Sequence, residues 1–191
     1  NRDGSGDLDL RVSLDNLTLD LLGQVGADPL VTLREALEED GYAVSVEPGA
    51  NQREIIARKH VPKLTPQGLG VAAIPRVFTA SATAPEGIQV RRSLLNICYR
   101  FEGEIDPASF ALVQALDGLE SSLLAKMQYE FALTLPVPAD EHNADAVSEG
   151  GKTLVWQLIP GEKNRVLVEA SQWNPAGLAA FALLLLMLGV G

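Results

Sequence analysis

Apolar and polar residues alternate along much of the chain, which is the pattern of half-buried β-strands. The first run covers residues 8–14, and its phase flips across Asp15-Asn16 before a second run continues to Leu21. A two-residue turn at the flip would place the apolar side chains of both runs on one face of a ribbon, so we predict a β-hairpin over residues 8–22. Further alternating runs predict strands over 42–47, 53–60, 88–105, 127–135, 154–158 and 166–170.

Two segments have helical spacing instead. The first begins at Asp28-Pro29, an N-cap followed by a residue suited to the first turn, and ends at Gly41. The second begins at Asp106-Pro107 and continues to about residue 125. Hairpins interrupted by two helices predict an α+β fold, a mainly antiparallel sheet with two helices packed on one face. The Pro- and Gly-rich segment 61–87 predicts a long loop between the two halves.

The C-terminal residues predict a membrane segment. Residues 176–191 carry no charged side chain, and as a helix they would extend about 24 Å, against about 30 Å for the hydrocarbon core of a bilayer. We predict a transmembrane helix over 175–191 that further apolar residues would complete, with Trp173 at the interface and Asn174-Pro175 at the helix start. A buried core helix is the alternative. Residues 1–7 predict a flexible mature start, which leaves 8–172 as one extracytoplasmic domain.

Composition excludes several classes of function. The 191-residue chain has 15 Lys and Arg against 25 Asp and Glu, a formal charge of −10, whereas proteins that bind nucleic acid need cations to neutralise phosphates. One cysteine, Cys98, excludes an intrachain disulfide, and two histidines offer little for a zinc enzyme. The sequence has no nucleophile elbow, zinc-protease or phosphate-loop motif. We therefore expect no enzyme activity and no cofactor.

One block of the sequence resembles a known family. It begins with Leu-Thr-Leu-Pro-Val-Pro at Leu133 and continues through Gly-Gly-Lys-Thr-Leu-Val-Trp to Pro-Gly-Glu-Lys-Asn at Asn164. This block resembles the LppM domain family of bacterial membrane-anchored, lipoprotein-like domains, and residues 99–106 resemble that family's central strand. The resemblance implies a domain on the extracytoplasmic face of a bacterial cytoplasmic membrane, held there by a single-pass helix. It also implies, less directly, a lipid or glycolipid ligand.

A basic cluster is the first candidate binding site. Arg91, Arg92 and Arg100 are the one basic concentration in an acidic chain. With the loop at 61–87 they could meet the phosphate or sugar of a headgroup. The alternative is ordinary edge-strand charge, which discourages aggregation.

An acidic loop is the second candidate. It contains the ligand types of a divalent-cation site, at Asp140, Glu141, His142 and Asp145. The alternative is a solvated surface loop, where such residues are common.

The leading hypothesis is a non-enzymatic, membrane-anchored domain that binds a lipid or glycolipid in an apolar groove between sheet and helices. One alternative is a structural or protein-interaction module of a bacterial envelope assembly, which would use exposed sheet edges. Another is a metal-dependent hydrolase at the acidic loop. The expected partners are the membrane, through 175–191, together with a lipid or glycolipid and an envelope protein.

Overall fold

Antiparallel β-sheet dominates the structure. The computed structural model describes residues 5–24, 29–62, 89–105, 127–159 and 162–180. Within these residues the elements are β1 (Gly6–Asp15), α1 (Asn16–Gln24), α2 (Pro29–Glu39), β2 (Ala43–Pro48), β3 (Gln52–Val61), β4 (Gln89–Arg92), β5 (Asn96–Ile105), β6 (Gln128–Thr134), β7 (Glu141–His142), β8 (Ala146–Ser148), β9 (Thr153–Leu158) and β10 (Asn164–Trp173). A helical segment follows at 175–180.

The larger sheet, sheet A, is built around β1. Its strand order is β2-β3-β1-β6-β9-β8, and every neighbouring pair is antiparallel. Alternation along β1 turns the apolar side chains of Leu8, Leu10, Val12 and Leu14 into the core and leaves Asp7, Asp9 and Arg11 on the outer face. The predicted alternation of residues 8–14 is therefore confirmed.

The smaller sheet, sheet B, has the order β4-β5-β10-β7, again with antiparallel neighbours. Its centre is the pair β5–β10, which is in register over ten positions. The inner faces of both sheets contribute to one cluster of buried residues. Trp156 lies in that cluster and packs against Phe131 with ring centroids 5.8 Å apart, as expected of a core aromatic.

The predicted hairpin over 8–22 is wrong, because a helix follows β1. The Asp15 carboxylate accepts hydrogen bonds from the backbone N–H of Thr18 (2.8 Å) and from its hydroxyl (2.6 Å), so Asp15 is the N-cap of α1. In a hairpin Leu17 and Leu19 would both face the core, whereas in the helix Leu19 is buried and the Leu17 side chain is 63% exposed. The alternating pattern continues past Asp15, but the capping side chain ends the strand there.

The first predicted helix is confirmed as α2. It buries Leu30, Leu33 and Leu37 in the core. At its end Gly41 has φ +81°, and Tyr42 N–H donates to the Leu37 carbonyl at 3.0 Å while Gly41 N–H donates to that of Glu38. These two bonds form a Schellman motif, which needs a left-handed residue at Gly41.

The predicted fold class, an α+β fold with two helices on one face and a C-terminal transmembrane helix, is wrong. Two antiparallel sheets make up most of the described residues, and α1 and α2 have only 9 and 11 residues. The predicted helix over 106–125 lies outside the described residues. So does most of 175–191, and among the residues described no helix is both long and apolar enough to span a bilayer. The prediction rested on uniform apolar composition, which does not define the length of a helix.

The remaining strand predictions follow the structure closely. Those at 42–47, 53–60, 127–135, 154–158 and 166–170 are confirmed as β2, β3, β6, β9 and β10. The run at 88–105 is two strands rather than one, because a turn separates β4 from β5. The predicted long loop at 61–87 lies almost entirely outside the described residues.

Candidate functional site

The turn between β4 and β5 presents two leucines to solvent. Ser93 N–H donates to the Asn96 carbonyl at 2.8 Å, and the Ser93 hydroxyl oxygen accepts from Asn96 N–H at 2.9 Å. Leu94 and Leu95 occupy the two central positions of this turn, and they are 54% and 38% exposed. Central turn positions favour Gly, Asn, Asp and Pro for conformational reasons, so the turn geometry gives no reason for two leucines here.

The helical segment at 175–180 is attached to this turn through Asn174. The Asn174 backbone N–H donates to the Leu95 carbonyl at 2.7 Å, and its side-chain amide donates to the Ser93 carbonyl at 2.9 Å. The side-chain oxygen of Asn174 accepts from Gly177 N–H at 3.3 Å, as an N-cap does. The predicted helix start at Asn174-Pro175 is thus confirmed, and the same residue holds the helix against sheet B.

Gly177 makes this attachment possible because it has no side chain. A Cβ on Gly177 would overlap the backbone carbonyl of Leu94, a rigid group. The first helical turn therefore lies directly against the β4–β5 turn.

Four large apolar side chains project from this unit. Besides the two leucines of the turn, Trp173 is 67% exposed and Leu178 is 38% exposed. We call Leu94, Leu95, Trp173 and Leu178 the apolar tip. Scattered exposed apolar residues are ordinary, but a group of four on one hydrogen-bonded unit is typical of an interaction site.

Two of the three predicted basic residues lie next to the apolar tip. Arg91 and Arg92 end β4 immediately before the turn, with Arg91 opposite Cys98 and Arg92 opposite Ile97. Successive residues of a strand point to opposite faces, so the two guanidinium groups flank the edge of sheet B. Within the described parts of the chain, neither arginine has a carboxylate within ion-pair distance.

Arg100 does not join them. Its guanidinium donates to Glu169 at 2.5 Å and to Glu102 at 3.0 Å, and Arg165 donates to the other oxygen of Glu102 at 2.6 Å. These hydrogen bonds from Arg100 and then Arg165 hold the pKa of Glu102 below its ordinary value. Arg100 therefore belongs to an ion-pair network on the outer face of sheet B, and the predicted trio is not one cluster.

The acidic side chains of the loop at 140–145 make structural hydrogen bonds. Asp140 accepts from the Ser171 hydroxyl at 2.7 Å, and Asp145 accepts from Gln157 N–H at 2.8 Å. His142 Nδ1 accepts from Ala144 N–H, and Glu141 lies opposite Glu169 in the β7–β10 pair. Across the part of the chain that the structure describes, no group of three such side chains could hold a metal ion.

Asn143, in the same loop, is a structural residue that the sequence did not single out. Its side-chain oxygen accepts from Trp156 Nε1–H at 2.9 Å and from Leu167 N–H at 2.8 Å, and its amide donates to the Arg165 carbonyl at 2.7 Å. Trp156 is in sheet A and Leu167 in sheet B, so Asn143 links the two sheets. Asn143 lies within the block from Leu133 to Asn164 that resembles the LppM family, which marked the region as distinctive, but the sequence indicated only a turn at this position.

A polar cleft of about 450 Å³ lies on sheet A at the ends of β1, β3 and β6. It is lined by Asp7, Asp9, Arg58, Lys59, His60, Thr134 and Glu149. His60 Nδ1 is 2.6 Å from Asp7, and Arg58 Nε is 3.3 Å from Asp9. Burial raises the pKa of Asp9, while the Arg58 cation opposes that rise. The charged groups of the cleft are thus largely paired with one another.

Comparison with known proteins gives a family but no activity. No curated protein matches the chain. Among solved structures, the chain is similar to the NMR structure of the folded domain of LppM from Mycobacterium tuberculosis, with 17% identity and a TM-score of 0.37 over 71% of this chain and 67% of that one. This weak likeness accords with the predicted LppM-like domain but carries no argument about ligand or mechanism. A family model described as a protein of unknown function, DUF3153, matches residues 59–190. The chain belongs to the DUF3153 family.

Proposed function

We propose that the chain is a non-enzymatic domain of a bacterial envelope that binds lipid at a membrane surface, with the apolar tip entering the headgroup region. The observation that carries this proposal is the exposure of one tryptophan and three leucines on a single hydrogen-bonded unit. The envelope setting is supported by the resemblance to LppM domains. The sequence had suggested a single lipid bound in a groove between sheet and helices, whereas the ligand proposed here is the surface of a lipid bilayer.

The residue types of the tip suit a bilayer surface. Tryptophan is enriched where membranes meet water, because its ring is apolar and its N–H can still reach polar groups. Transfer of a leucine side chain out of water contributes about 1.5–3 kcal/mol when it is complete. The leucines of the tip are partly exposed, so each contributes a fraction of this value, and together they favour contact with lipid.

The tip is also preorganised for contact. Asn174 joins Ser93 and Leu95 to the helix start, and Gly177 seats the helix against the turn. A surface that is already ordered loses less conformational entropy when it binds than a flexible loop does. The sequence after Leu178 carries no charged residue through residue 191, a composition that suits contact with lipid.

The non-enzymatic part of the proposal is supported by the roles of the polar side chains. The acidic loop, which held the candidate ligands for a hydrolase, has Asp140 and Asp145 in hydrogen bonds to β10 and β9. Nothing in the sequence provides a nucleophile with an adjacent base in a known motif.

Tryptophan fluorescence of the full chain tests the proposal directly. The protein is mixed with neutral phosphatidylcholine vesicles whose acyl chains carry bromine, a quencher that acts only at short range. We expect Trp173 emission to shift to shorter wavelength and to be quenched. The W173F variant is the matched control, because its remaining Trp156 is only 3% exposed in the core and should report no quenching.

Two results would count against the proposal. Unchanged emission of wild-type protein that sediments with the vesicles would mean that the tip stays in water. Equal quenching in W173F would mean that the signal arises from unfolding at the membrane. Native mass spectrometry adds a further check, because a stoichiometric lipid adduct that survives detergent removal would favour a groove over a bilayer surface. If native mass spectrometry showed one stoichiometric protein partner and no lipid adduct, the result would favour a protein-interaction module.

A further inference from the structure

We infer that Arg91 and Arg92 form a site for the phosphate groups of anionic lipids at the rim of the apolar tip. This inference rests on the proposed function and names the lipid class that it would select. The two arginines precede the turn that carries Leu94, and at about 3.4 Å per strand residue Arg92 lies roughly 7 Å from that leucine along the chain. A tip in the headgroup region would therefore place both cations at phosphate level.

The two arginines differ from most other arginines of the described residues, because no carboxylate among those residues neutralises them. The other arginines of sheet B, Arg100 and Arg165, ion-pair with glutamates, and so does Arg11 in sheet A. The guanidinium group donates two parallel hydrogen bonds to a phosphate, and a cation without an intramolecular partner keeps those donors available.

Among the residues that the structure describes, the glutamates of sheet B lie well away from the pair, although the chain has a net charge of −10. Glu102 lies four residues, or about 14 Å, along β5 from Cys98, the residue opposite Arg91. Glu169 lies two residues along β10 from Ser171, which is opposite Cys98, and this places it about 12 Å from Arg91. Both are engaged with Arg100. These separations exceed the Debye length of about 8 Å at physiological ionic strength, so their repulsion from a membrane is largely screened.

The carboxylate of Asp140 lies at a similar distance from the pair. Asp140 is hydrogen-bonded to Ser171, two residues before Trp173. Ser171 is opposite Cys98, which is opposite Arg91, so Asp140 lies about three strand spacings, or roughly 14 Å, from the Arg91 strand. It lowers the local positive potential without pairing with either arginine.

Vesicle binding of the full chain at two lipid compositions tests the inference. Partition into pure phosphatidylcholine is compared with partition into phosphatidylcholine containing about one-third phosphatidylglycerol. A basic residue near an anionic membrane contributes about 1 kcal/mol, or roughly fivefold in partition, so the pair should give an enhancement of up to about 30-fold. We expect R91A/R92A to abolish most of this enhancement and to leave partition into pure phosphatidylcholine nearly unchanged.

A charge-matched variant provides the control. R53A/K152A removes one cation from β3 and one from the residue immediately before β9, and both strands belong to sheet A. R53A/K152A has the same net charge as R91A/R92A. If R53A/K152A keeps the enhancement and R91A/R92A loses it, the effect is located at the tip. Raising the salt concentration should reduce the wild-type enhancement towards that of R91A/R92A.

The outcomes separate the inference from the proposed function. Equal enhancement in wild type and R91A/R92A overturns the inference, while quenching of Trp173 by neutral brominated lipid would still support the proposed function. Arginine-dependent enhancement without quenching supports the arginine site and overturns insertion of the tip. Loss of the enhancement in millimolar inorganic phosphate, at constant ionic strength, would identify a site for soluble phosphate and overturn the assignment to a membrane.

Discussion

The acidic loop at 140–145 and the apolar tip are both exposed connections at sheet B, yet their side chains serve opposite purposes. The loop contains the residue types associated with chemistry, and the fold uses nearly all of them, with Asn143 bridging the sheets and Asp140 and Asp145 bonding to neighbouring strands. The tip contains residue types associated with a core, and the fold leaves them in solvent. The proposed function therefore rests on exposed residues that the fold does not need, and not on residues of reactive type.

The largest expected effect tests the structural side of this comparison. N143A should lower the free energy of unfolding by about 3 kcal/mol, because it leaves the buried Trp156 N–H and backbone groups of β10 without partners. N143D, which keeps the accepting oxygen, should lose less. H142A, next to it in the same loop, should change stability by less than about 0.5 kcal/mol. Urea denaturation of the three variants measures the ranking, and equal losses at 142 and 143 would contradict it.

A smaller loss is expected where the tip meets the sheet. G177A should destabilise the protein by about 1–3 kcal/mol, because the added methyl overlaps the Leu94 carbonyl and the helix must shift. The same substitution at an unobstructed helical glycine normally stabilises a protein by about 0.4–1 kcal/mol. Thermal unfolding decides the sign, and a stabilised G177A variant would mean that the helix does not lie against the turn.

At the N-terminal side of the molecule, the cap of α1 should contribute less again. D15A should lower stability by about 1 kcal/mol, because the Thr18 N–H and hydroxyl lose their acceptor. D15N supplies the same acceptor without charge and should retain most of the stability. Chemical denaturation of both variants provides the test, and an equal loss in the two would assign the effect to charge rather than to capping.

The leucines of the tip should matter for membranes and not for folding. L94N/L95G introduces preferred turn residues and should change stability by less than about 0.5 kcal/mol. Its partition into neutral vesicles should fall by roughly tenfold, from the loss of apolar surface. I159S is the matched control, since Ile159 and Leu94 are both 54% exposed. Equal losses in the two variants would indicate non-specific hydrophobic binding.

The smallest effect concerns the ion-pair network on the outer face of sheet B, away from the tip. The pKa of Glu102 is lowered in the folded state by Arg100 and Arg165, so its stabilisation is present above the unfolded-state pKa and is lost as pH falls through the folded-state value. The network is exposed, so the difference in Tm between wild type and E102Q should be below about 2 °C near neutral pH and should shrink towards pH 3. Thermal melts between pH 3 and 7 measure it, and a difference that grows at acidic pH would contradict the assignment.

How much the sequence could predict depended on how local each signal was. Alternation identified most strands, and the Pro29 and Asn174-Pro175 signals marked two helix starts correctly. The hairpin prediction was wrong because Asp15 caps a helix. The sequence did not reveal this, since Leu17 and Leu19 fit a strand as well as the start of a helix. The turn at Leu94-Leu95 could not be recognised in the sequence, because two apolar residues stand where turns usually have Gly, Asn, Asp or Pro.

The pairing of distant segments could not be predicted at all. Asn143 bonds to Trp156 and Leu167, residues of two different sheets, and no spacing in the sequence identifies such a link. The separation of Arg100 from Arg91 and Arg92 arises in the same way, since Glu169 reaches Arg100 only through the β5–β10 register. The apolar tip likewise depends on the β5–β10 register, which places Trp173 opposite Asn96 and lets Asn174 bond to the β4–β5 turn.

The attachment of the helical segment to β10 has a mechanical consequence. A pull on the chain beyond residue 180 would be transmitted through Asn174 into β10, whose ten positions pair with β5. The hydrogen bonds of an antiparallel pair are perpendicular to the strands, so a force along β10 would load them together rather than one after another. A force along β10 therefore loads the β5–β10 hydrogen bonds in shear, and we expect the domain to yield at much lower force when it is pulled through the short edge strand β4.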